Sequence, residues 1–168
     1  MRLSTPQTYL LERPEGAAYS VFVGDQKCNF SRPASVGKLP KLYTLSFNCS
    51  LIYVGVASQS MSARLALGFR ASGKGGYHGY KWKELRQRLT LNVWTAEEDG
   101  KSATLRDLEI IEAEVAFICR HVSGQWPSHQ HEIHFYPSSE KHRQAASLIY
   151  SHISRPNAAT DQTVASAT

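Results

Sequence analysis

The stretch from Lys41 to Leu65 constrains the fold most, because it contains two short strand-like runs joined by a turn-forming tripeptide. The runs LYTLSF and LIYVGV are rich in β-branched and aromatic residues, which favour strands. The tripeptide NCS between them is typical of a turn, so we predict a β-hairpin. Each predicted strand carries one tyrosine, Tyr43 or Tyr53, and both can face the same side of the sheet.

A helix is expected to follow the hairpin. Ser60 or Ser58 suits its N-cap position, and Arg64 lies about one turn inside it. Gly55, near the end of the second predicted strand, has no side chain, so we expect it to leave room for another backbone or a ligand. Two tyrosines and an arginine beside this glycine indicate a functional surface. The alternative is that the aromatic residues belong to the core and the arginine to the surface.

Charge and composition limit the class of partner. The chain has 168 residues, enough for one self-sufficient domain, and carries 19 Lys and Arg against 14 Asp and Glu. The net charge of +5 favours polyanions such as nucleic acid. Three cysteines without paired spacing argue against a disulfide framework and fit a reducing cytoplasm. Because no run resembles a membrane span or a secretory signal, we expect a cytoplasmic protein with no membrane partner.

The chain divides into three parts by composition. Residues 1–40 are punctuated by Pro and Gly, contain one strand-like run at 18–23, and are expected to form an N-terminal extension or cap. Residues 41–153 are expected to form the main domain. Residues 154–168 are small and polar with few apolar anchors, which predicts a flexible tail.

Periodicity predicts the remaining elements of the main domain. A third strand is predicted at 88–95, where polar and apolar residues alternate. The longest helix is predicted at about 103–121, where apolar residues at helical spacing form a core stripe and Gly124 follows as a cap. Residues 130–135 are predicted to be a short strand or extended piece. A last helix is expected to end near residue 153.

Together these residues resemble the signature of the GIY-YIG nuclease superfamily. The resemblance is carried by Leu42-Tyr43, by Tyr53-Val54-Gly55 ten residues later, by Arg64 in the next helix and by a glutamate in a later helix. The resemblance covers roughly Lys41 to Phe135, and the chain is similar to a small prokaryotic-type member of the superfamily. It implies an α/β (α+β) fold in which a small three-stranded antiparallel sheet is flanked by helices.

The resemblance also implies a metal-binding glutamate on the long helix. Glu109, Glu112 and Glu114 all lie there, and Glu114 best matches the family pattern Glu-x-x-Leu-Ile, with Glu112 as the alternative. We therefore expect Glu114 to bind a divalent cation, Mg²⁺ or Mn²⁺, which prefers oxygen ligands. The competing interpretation is that all three glutamates lie on a solvated face.

The other implied roles fall on the hairpin, the next helix and a late loop. The resemblance implies that Arg64 clamps phosphate oxygens, a role suited to its planar guanidinium. Tyr43 resembles the tyrosine taken as general base, which would require nearby cations to lower its pKa, and Tyr53 would position the water or share that role. The family's asparagine position is occupied by His131, so the chain departs from the pattern there.

A basic and aromatic segment after the helix is a candidate DNA contact. The residues that suit phosphate contact or base stacking are Arg70, Lys74, His78, Tyr80, Lys81 and Trp82. Lys74 or His78 could instead join the active site, and a plain surface loop is the alternative. The run from Gly68 to Lys74 matches GxxxxGK, but Gly75 replaces the Ser or Thr and the loop follows a helix, which argues against a P-loop.

The leading hypothesis is a divalent-metal-dependent DNA endonuclease that acts as a homodimer or with a targeting partner. The runner-up is a catalytically weak or inactive nucleic-acid-binding module on the same fold, motivated by His131. A nucleotide-binding protein is a more distant alternative. A zinc site at His129, His131 and His134 is disfavoured, because these residues have neither helical pairing nor a cysteine partner.

Overall fold

The computed structural model describes residues 1–13, 18–73, 79–130 and 133–155. Within them it contains nine strands, three α-helices and one short 3₁₀ helix. The strands are β1 (Arg2–Leu3), β2 (Gln7–Glu12), β3 (Ser20–Val23), β4 (Gln26–Cys28), β5 (Lys41–Phe47), β6 (Ser50–Ala57), β7 (Leu89–Trp94), β8 (Ala96–Glu98) and β9 (Lys101–Ser102). The helices are α1 (Met61–Arg70), α2 (Leu105–Ser123) and α3 (Glu140–Ile153), and the 3₁₀ helix is Lys81–Glu84.

The predicted hairpin is confirmed. Strands β5 and β6 pair antiparallel, with Tyr43 opposite Gly55 and Leu45 opposite Tyr53. The turn is one residue shorter than expected, since Asn48 and Cys49 alone connect the strands, both with positive φ. Two consecutive residues in this conformation are typical of the tight hairpin turns that match the twist of the strands.

The main sheet is larger than the sequence predicted. The expected three strands are β6, β5 and β7, but β2, β3 and β4 extend them to a six-stranded antiparallel sheet in the order β4-β3-β2-β7-β5-β6. The prediction of a three-stranded sheet is therefore wrong in its strand number, although the mixed α/β class with antiparallel sheets is confirmed. A second sheet has the order β1-β8-β9.

Strand β2 is the element that joins residues 1–40 to the rest of the sheet. It pairs antiparallel with β7, so that Tyr9 lies opposite Leu91. In sequence, only Tyr9 and Leu11 of this strand alternate as buried apolar residues, between two prolines. So short an alternation is a weak strand signal, and the pairing partner 80 residues away stabilises it instead.

Helices cover both faces of the sheet. On one face, α1 packs its buried Met61 and Leu65 against Tyr43 and Leu45 of β5. On the other, α2 and α3 pack against a cluster that includes Leu42, because side chains alternate between faces along β5. No helix in the described ranges is both long and apolar enough to cross a bilayer.

The helix ends follow local capping chemistry. The Ser60 hydroxyl accepts a hydrogen bond from the backbone N–H of Ala63, which confirms it as the N-cap of α1. Thr104 and Asp107 form a capping box at the start of α2, and Gly124 ends it with a φ of 75°. Of the short strand or extended piece expected at 130–135, the strand is wrong for the described residues, since Gln130 and residues 133–135 have no regular structure.

Candidate active site

Arg64 and Tyr43 are joined by a hydrogen bond between α1 and β5. The Nε–H of Arg64 donates to the Tyr43 hydroxyl at 3.3 Å. Tyr43 is fully buried, with 0% of its surface exposed, whereas Arg64 is only partly buried. Its two terminal amino groups make no hydrogen bond or ion pair to the described residues. The bond to Nε therefore fixes the guanidinium while leaving the end that suits a phosphate available.

Tyr80 completes a closed set of hydrogen bonds around these two residues. Its hydroxyl lies 3.1 Å from that of Tyr43 and donates to the backbone carbonyl of Arg64 at 3.2 Å. One proton assignment satisfies all three bonds: Arg64 donates to Tyr43, Tyr43 donates to Tyr80, and Tyr80 donates to the Arg64 carbonyl. Tyr80 was expected to contact DNA, but it is 2% exposed and its hydroxyl bonds to groups inside the protein.

Glycines create the space for this arrangement. A Cβ on Gly68 would lie 2.0 Å from the Tyr80 ring, and one on Gly79 would lie 2.1 Å from the Gly68 carbonyl oxygen. A Cβ on Gly55 would meet Tyr53 at 2.7 Å and Tyr43 at 2.9 Å. The space at Gly55 is therefore filled by the two tyrosines, and the expectation that it admits a ligand is wrong.

Aromatic rings surround the tyrosines. Tyr43 and Tyr53 have ring centroids 5.8 Å apart, and Tyr80 stacks on Trp82 at 4.4 Å. Trp82 is also only 2% exposed, and its Nε1 has no hydrogen-bond partner among the described residues. Tyr80 and Trp82 thus form no stacking surface for bases, which corrects their predicted role. Arg70 and Lys81 are exposed, as a DNA contact requires.

Glu112, not Glu114, is the glutamate whose charge interacts with Tyr53 and Arg64. It lies four residues after Leu108 and four before Ala116, both buried, so it points with the apolar stripe toward the sheet. Its carboxyl interacts electrostatically with Arg64 and with Tyr53 without forming an ion pair in the described structure. Glu114 is two positions along the helix, about 200° around it, and has no hydrogen bond or ion pair to described residues.

Burial controls the protonation of Glu112. Desolvation, together with the negative charge of Glu109, raises the pKa of Glu112 from its ordinary value near 4.5 to about 8, and Arg64 opposes the shift. The carboxyl is therefore mostly protonated at neutral pH in the protein alone. The sequence held a signal for this position, since Glu112 occupies the helical spacing of the core stripe.

The tyrosines are neutral. Burial raises the pKa of Tyr43 well above its ordinary value, Tyr80 raises it further, and Arg64 lowers it by less. Burial also raises the pKa of Tyr53, with further contributions from Tyr43 and Glu112. The expected lowering of the Tyr43 pKa by neighbouring cations is thus wrong, because burial has the larger effect.

Gln130 closes the edge of the sheet beside the site. Strand β6 is an edge strand, and the Gln130 side chain accepts a hydrogen bond from the N–H of Val54 and donates to its carbonyl, each at 3.0 Å. The backbone N–H of His129 donates to Ile52 at 2.9 Å. The amide of Gln130 therefore acts as a one-residue continuation of the sheet, a role that no sequence pattern indicated.

Three predicted site residues, Lys74, His78 and His131, lie outside the described residues. Within the described ranges, no group of three His, Cys, Asp or Glu side chains could hold a metal ion. The residues that the fold brings together are Tyr43, Tyr53, Arg64, Tyr80 and Glu112. No family model, curated protein or solved structure matches the chain.

Proposed function

We propose that this protein is a divalent-metal-dependent nuclease that hydrolyses phosphodiester bonds in DNA. The observation that carries the proposal is the anchored Arg64, whose Nε is held by Tyr43 at 3.3 Å and whose charge interacts electrostatically with the carboxyl of Glu112. A guanidinium fixed through Nε presents two parallel N–H donors that match two phosphate oxygens. The net charge of +5 supports a polyanionic substrate.

Glu112 fits a metal ligand better than Glu114. The residue is half-buried, and its carboxyl interacts electrostatically with Arg64 and has no ion-pair partner among the described residues. A single carboxylate is compatible with Mg²⁺ or Mn²⁺, which retain several waters, and the bound ion would supply Lewis acidity at the phosphate. Because the pKa of Glu112 is about 8, ligation requires loss of its proton, so metal affinity increases as pH rises to about 8.

We assign Tyr43 a positioning role in place of the general-base role that the family resemblance implies. Its hydroxyl is fully buried and bonded to Arg64 and Tyr80, and it remains neutral. A neutral, enclosed phenol holds the guanidinium but does not reach a water at the phosphate. Burial raises the pKa of Tyr53, and the charge of Glu112 adds to the shift, so Tyr53 is also assigned no general-base role.

The proposal is tested by cleavage of supercoiled plasmid in Mg²⁺ or Mn²⁺, with EDTA as the negative control. We expect Arg64→Ala to slow cleavage about 100-fold, the scale of losing one preorganised donor to a transition-state charge. Arg120→Ala removes the same charge from an exposed position on α2 and is expected to cleave like the wild type. Equal rates for the two variants would contradict the role of Arg64.

A non-catalytic nucleic-acid-binding module is the second candidate. The burial of Tyr43 and its raised pKa favour it, because both oppose direct participation of that hydroxyl in chemistry. This candidate predicts no cleavage by the wild type in either metal. It also predicts salt-sensitive DNA binding that Arg64→Ala weakens.

A further inference from the structure

A groove of about 600 Å³ lies on the half of the six-stranded sheet that α2 and α3 leave uncovered. We call it the sheet groove. Residues from β2, β3, β5 and β7 line it, together with the turn after β5 and the end of α3. None of Tyr43, Arg64 and Glu112 lines the sheet groove, so what it binds is independent of the proposed nuclease chemistry.

The floor of the sheet groove contains one unsatisfied hydrogen-bonding group, the side-chain amide of Asn92. Asn92 lines the groove, is 2% exposed and lies in register between Thr8 and Thr44. The Thr8 hydroxyl donates to Asn92 Oδ1 at 2.7 Å, which leaves the Asn92 amide hydrogens without a partner among the described residues. Polar groups of buried side chains are normally hydrogen-bonded, so this amide points to a ligand.

The polar floor is not an ordinary solvent-exposed sheet face. Antiparallel sheets often present polar side chains to water on one side, where those side chains are exposed. Here Asn92 and Ser46 are both buried, and Ser46 lies in register with Thr90, which adds two hydroxyls to the lining. Donors and acceptors at the bottom of a recess recognise a polar ligand, because they orient it without competition from bulk water.

The charges that line the sheet groove favour an anion. Two arginines, Arg88 and Arg155, line it against one carboxylate, Asp25. Arg88 pairs with Asp25 at 3.2 Å and with Glu12 at 3.5 Å, but the Asp25 side chain is 98% exposed, and such surface pairs contribute little. Arg155 has no ion pair with the described residues, so a phosphodiester is expected to pair with Arg155 first.

An aromatic ring completes the chemistry. Phe47 lines the sheet groove at the hairpin turn and is 38% exposed, which leaves a ring face for stacking. The volume is that of a small-ligand site. From the cations, the ring and the amide donor together, we propose that the sheet groove binds a nucleotide unit of single-stranded nucleic acid. The phosphate pairs with arginine, the base stacks on Phe47, and Asn92 donates to a polar base edge.

The test measures the anisotropy of a fluorescein-labelled single-stranded oligo-dT, in EDTA so that cleavage does not interfere. We expect Phe47→Ala to weaken binding at least about fivefold, because stacking on an aromatic ring supplies that much per base. Arg155→Ala is expected to weaken it about fivefold. Arg143→Ala, which removes the same charge from an exposed position on α3, is the matched control with unchanged affinity.

A second measurement keeps the proposal falsifiable if a variant folds poorly. In ¹⁵N-labelled wild-type protein, the side-chain amide signals of Asn92 are expected to shift on addition of oligo-dT. The proposal is overturned if Phe47→Ala and Arg155→Ala bind like Arg143→Ala, or if the Asn92 signals do not move. It is also overturned if those signals respond only to removal of residues 156–168, which would identify the tail as the occupant. Plasmid cleavage is unaffected by these outcomes, so the two proposals fail separately.

Discussion

The Nε–H of Arg64 donates a 3.3 Å hydrogen bond to the hydroxyl of Tyr43, which is itself fully buried. The bond links α1 to β5 and fixes the orientation of the Arg64 guanidinium. We therefore assign the two residues different roles: Tyr43 positions the guanidinium, and Arg64 contacts the phosphate.

Tyr43→Phe removes the acceptor for Arg64 and the donor for Tyr80 while retaining the buried ring. We expect cleavage to slow about 10- to 100-fold, because the guanidinium loses its orientation, with an unchanged pH profile. Urea denaturation is expected to show a loss of about 1–2 kcal/mol. A complete loss of activity, or loss of one limb of the pH profile, would instead identify Tyr43 as the general base.

Glu112→Gln is expected to stabilise the protein at alkaline pH. The folded-state pKa of Glu112, about 8, lies above its ordinary value near 4.5, so the folded protein binds the proton more tightly. The wild type therefore loses stability as pH rises from about 4.5 to about 8, and the glutamine variant does not. In metal-free buffer, the gain in unfolding free energy at pH 9 relative to pH 4 should be on the order of 5 kcal/mol, which is the free energy that corresponds to the difference between the two pKa values.

The control for this pH dependence is Glu114→Gln on the same helix. It should show no such divergence from the wild type between pH 4 and pH 9. Parallel stability curves for wild type and Glu112→Gln would show that the carboxyl of Glu112 is not desolvated, and the assignment of this residue to the site would fail.

Gly68→Ala is expected to displace Tyr80. An added Cβ would lie 2.0 Å from the Tyr80 ring, so the ring must leave its place against α1. Although alanine favours helices by about 1 kcal/mol over glycine, we expect a net destabilisation of about 2–4 kcal/mol. The stacked Trp82 should become exposed and its fluorescence should shift to the red. Gly37→Ala is the control, because an added Cβ there meets nothing within 4 Å. A similar result for both variants would contradict the close packing of Tyr80 against Gly68.

Gln130→Ala is expected to open the free edge of β6. The variant removes both hydrogen bonds to Val54, so the Val54 amide should exchange with solvent at least about fivefold faster, with a stability loss of about 1 kcal/mol. The comparison is Gln144→Ala, which removes an exposed amide whose only hydrogen bond among the described residues is to Glu140. An unchanged exchange rate at Val54 would show that other contacts protect this edge.

Local sequence signals predicted the parts of the fold that local chemistry determines. The hairpin, the Ser60 cap, the third strand and the ends of α2 follow from turn propensity, capping and periodicity. Strand β2 does not, because its partner is distant in sequence and its own alternation is brief. Gln130 was equally unpredictable, since a side chain that replaces a strand leaves no periodic pattern.

The site was predicted in outline and corrected in detail. The spacing of Tyr43, Tyr53 and Arg64 anticipated residues that the fold brings together. The family pattern and a position at the margin of the apolar stripe selected Glu114, whereas Glu112 lies four residues from both Leu108 and Ala116 on the buried face of α2. The burial of Tyr80 could not be predicted from the sequence, because a tyrosine in a glycine-rich basic segment resembles a surface contact. Only the structure shows that its ring packs against Gly68.

In the proposed function, Glu112 and Arg64 together form a metal-dependent phosphodiesterase site. The most direct measurement is the rate of plasmid cleavage in saturating Mn²⁺ by the wild type, Glu112→Gln and Glu114→Gln, two substitutions that differ only by position on α2. We expect Glu112→Gln to lower the cleavage rate at least about 100-fold and Glu114→Gln to leave it within about threefold of the wild-type rate. Cleavage that survives Glu112→Gln but is lost in Glu114→Gln would contradict this expectation.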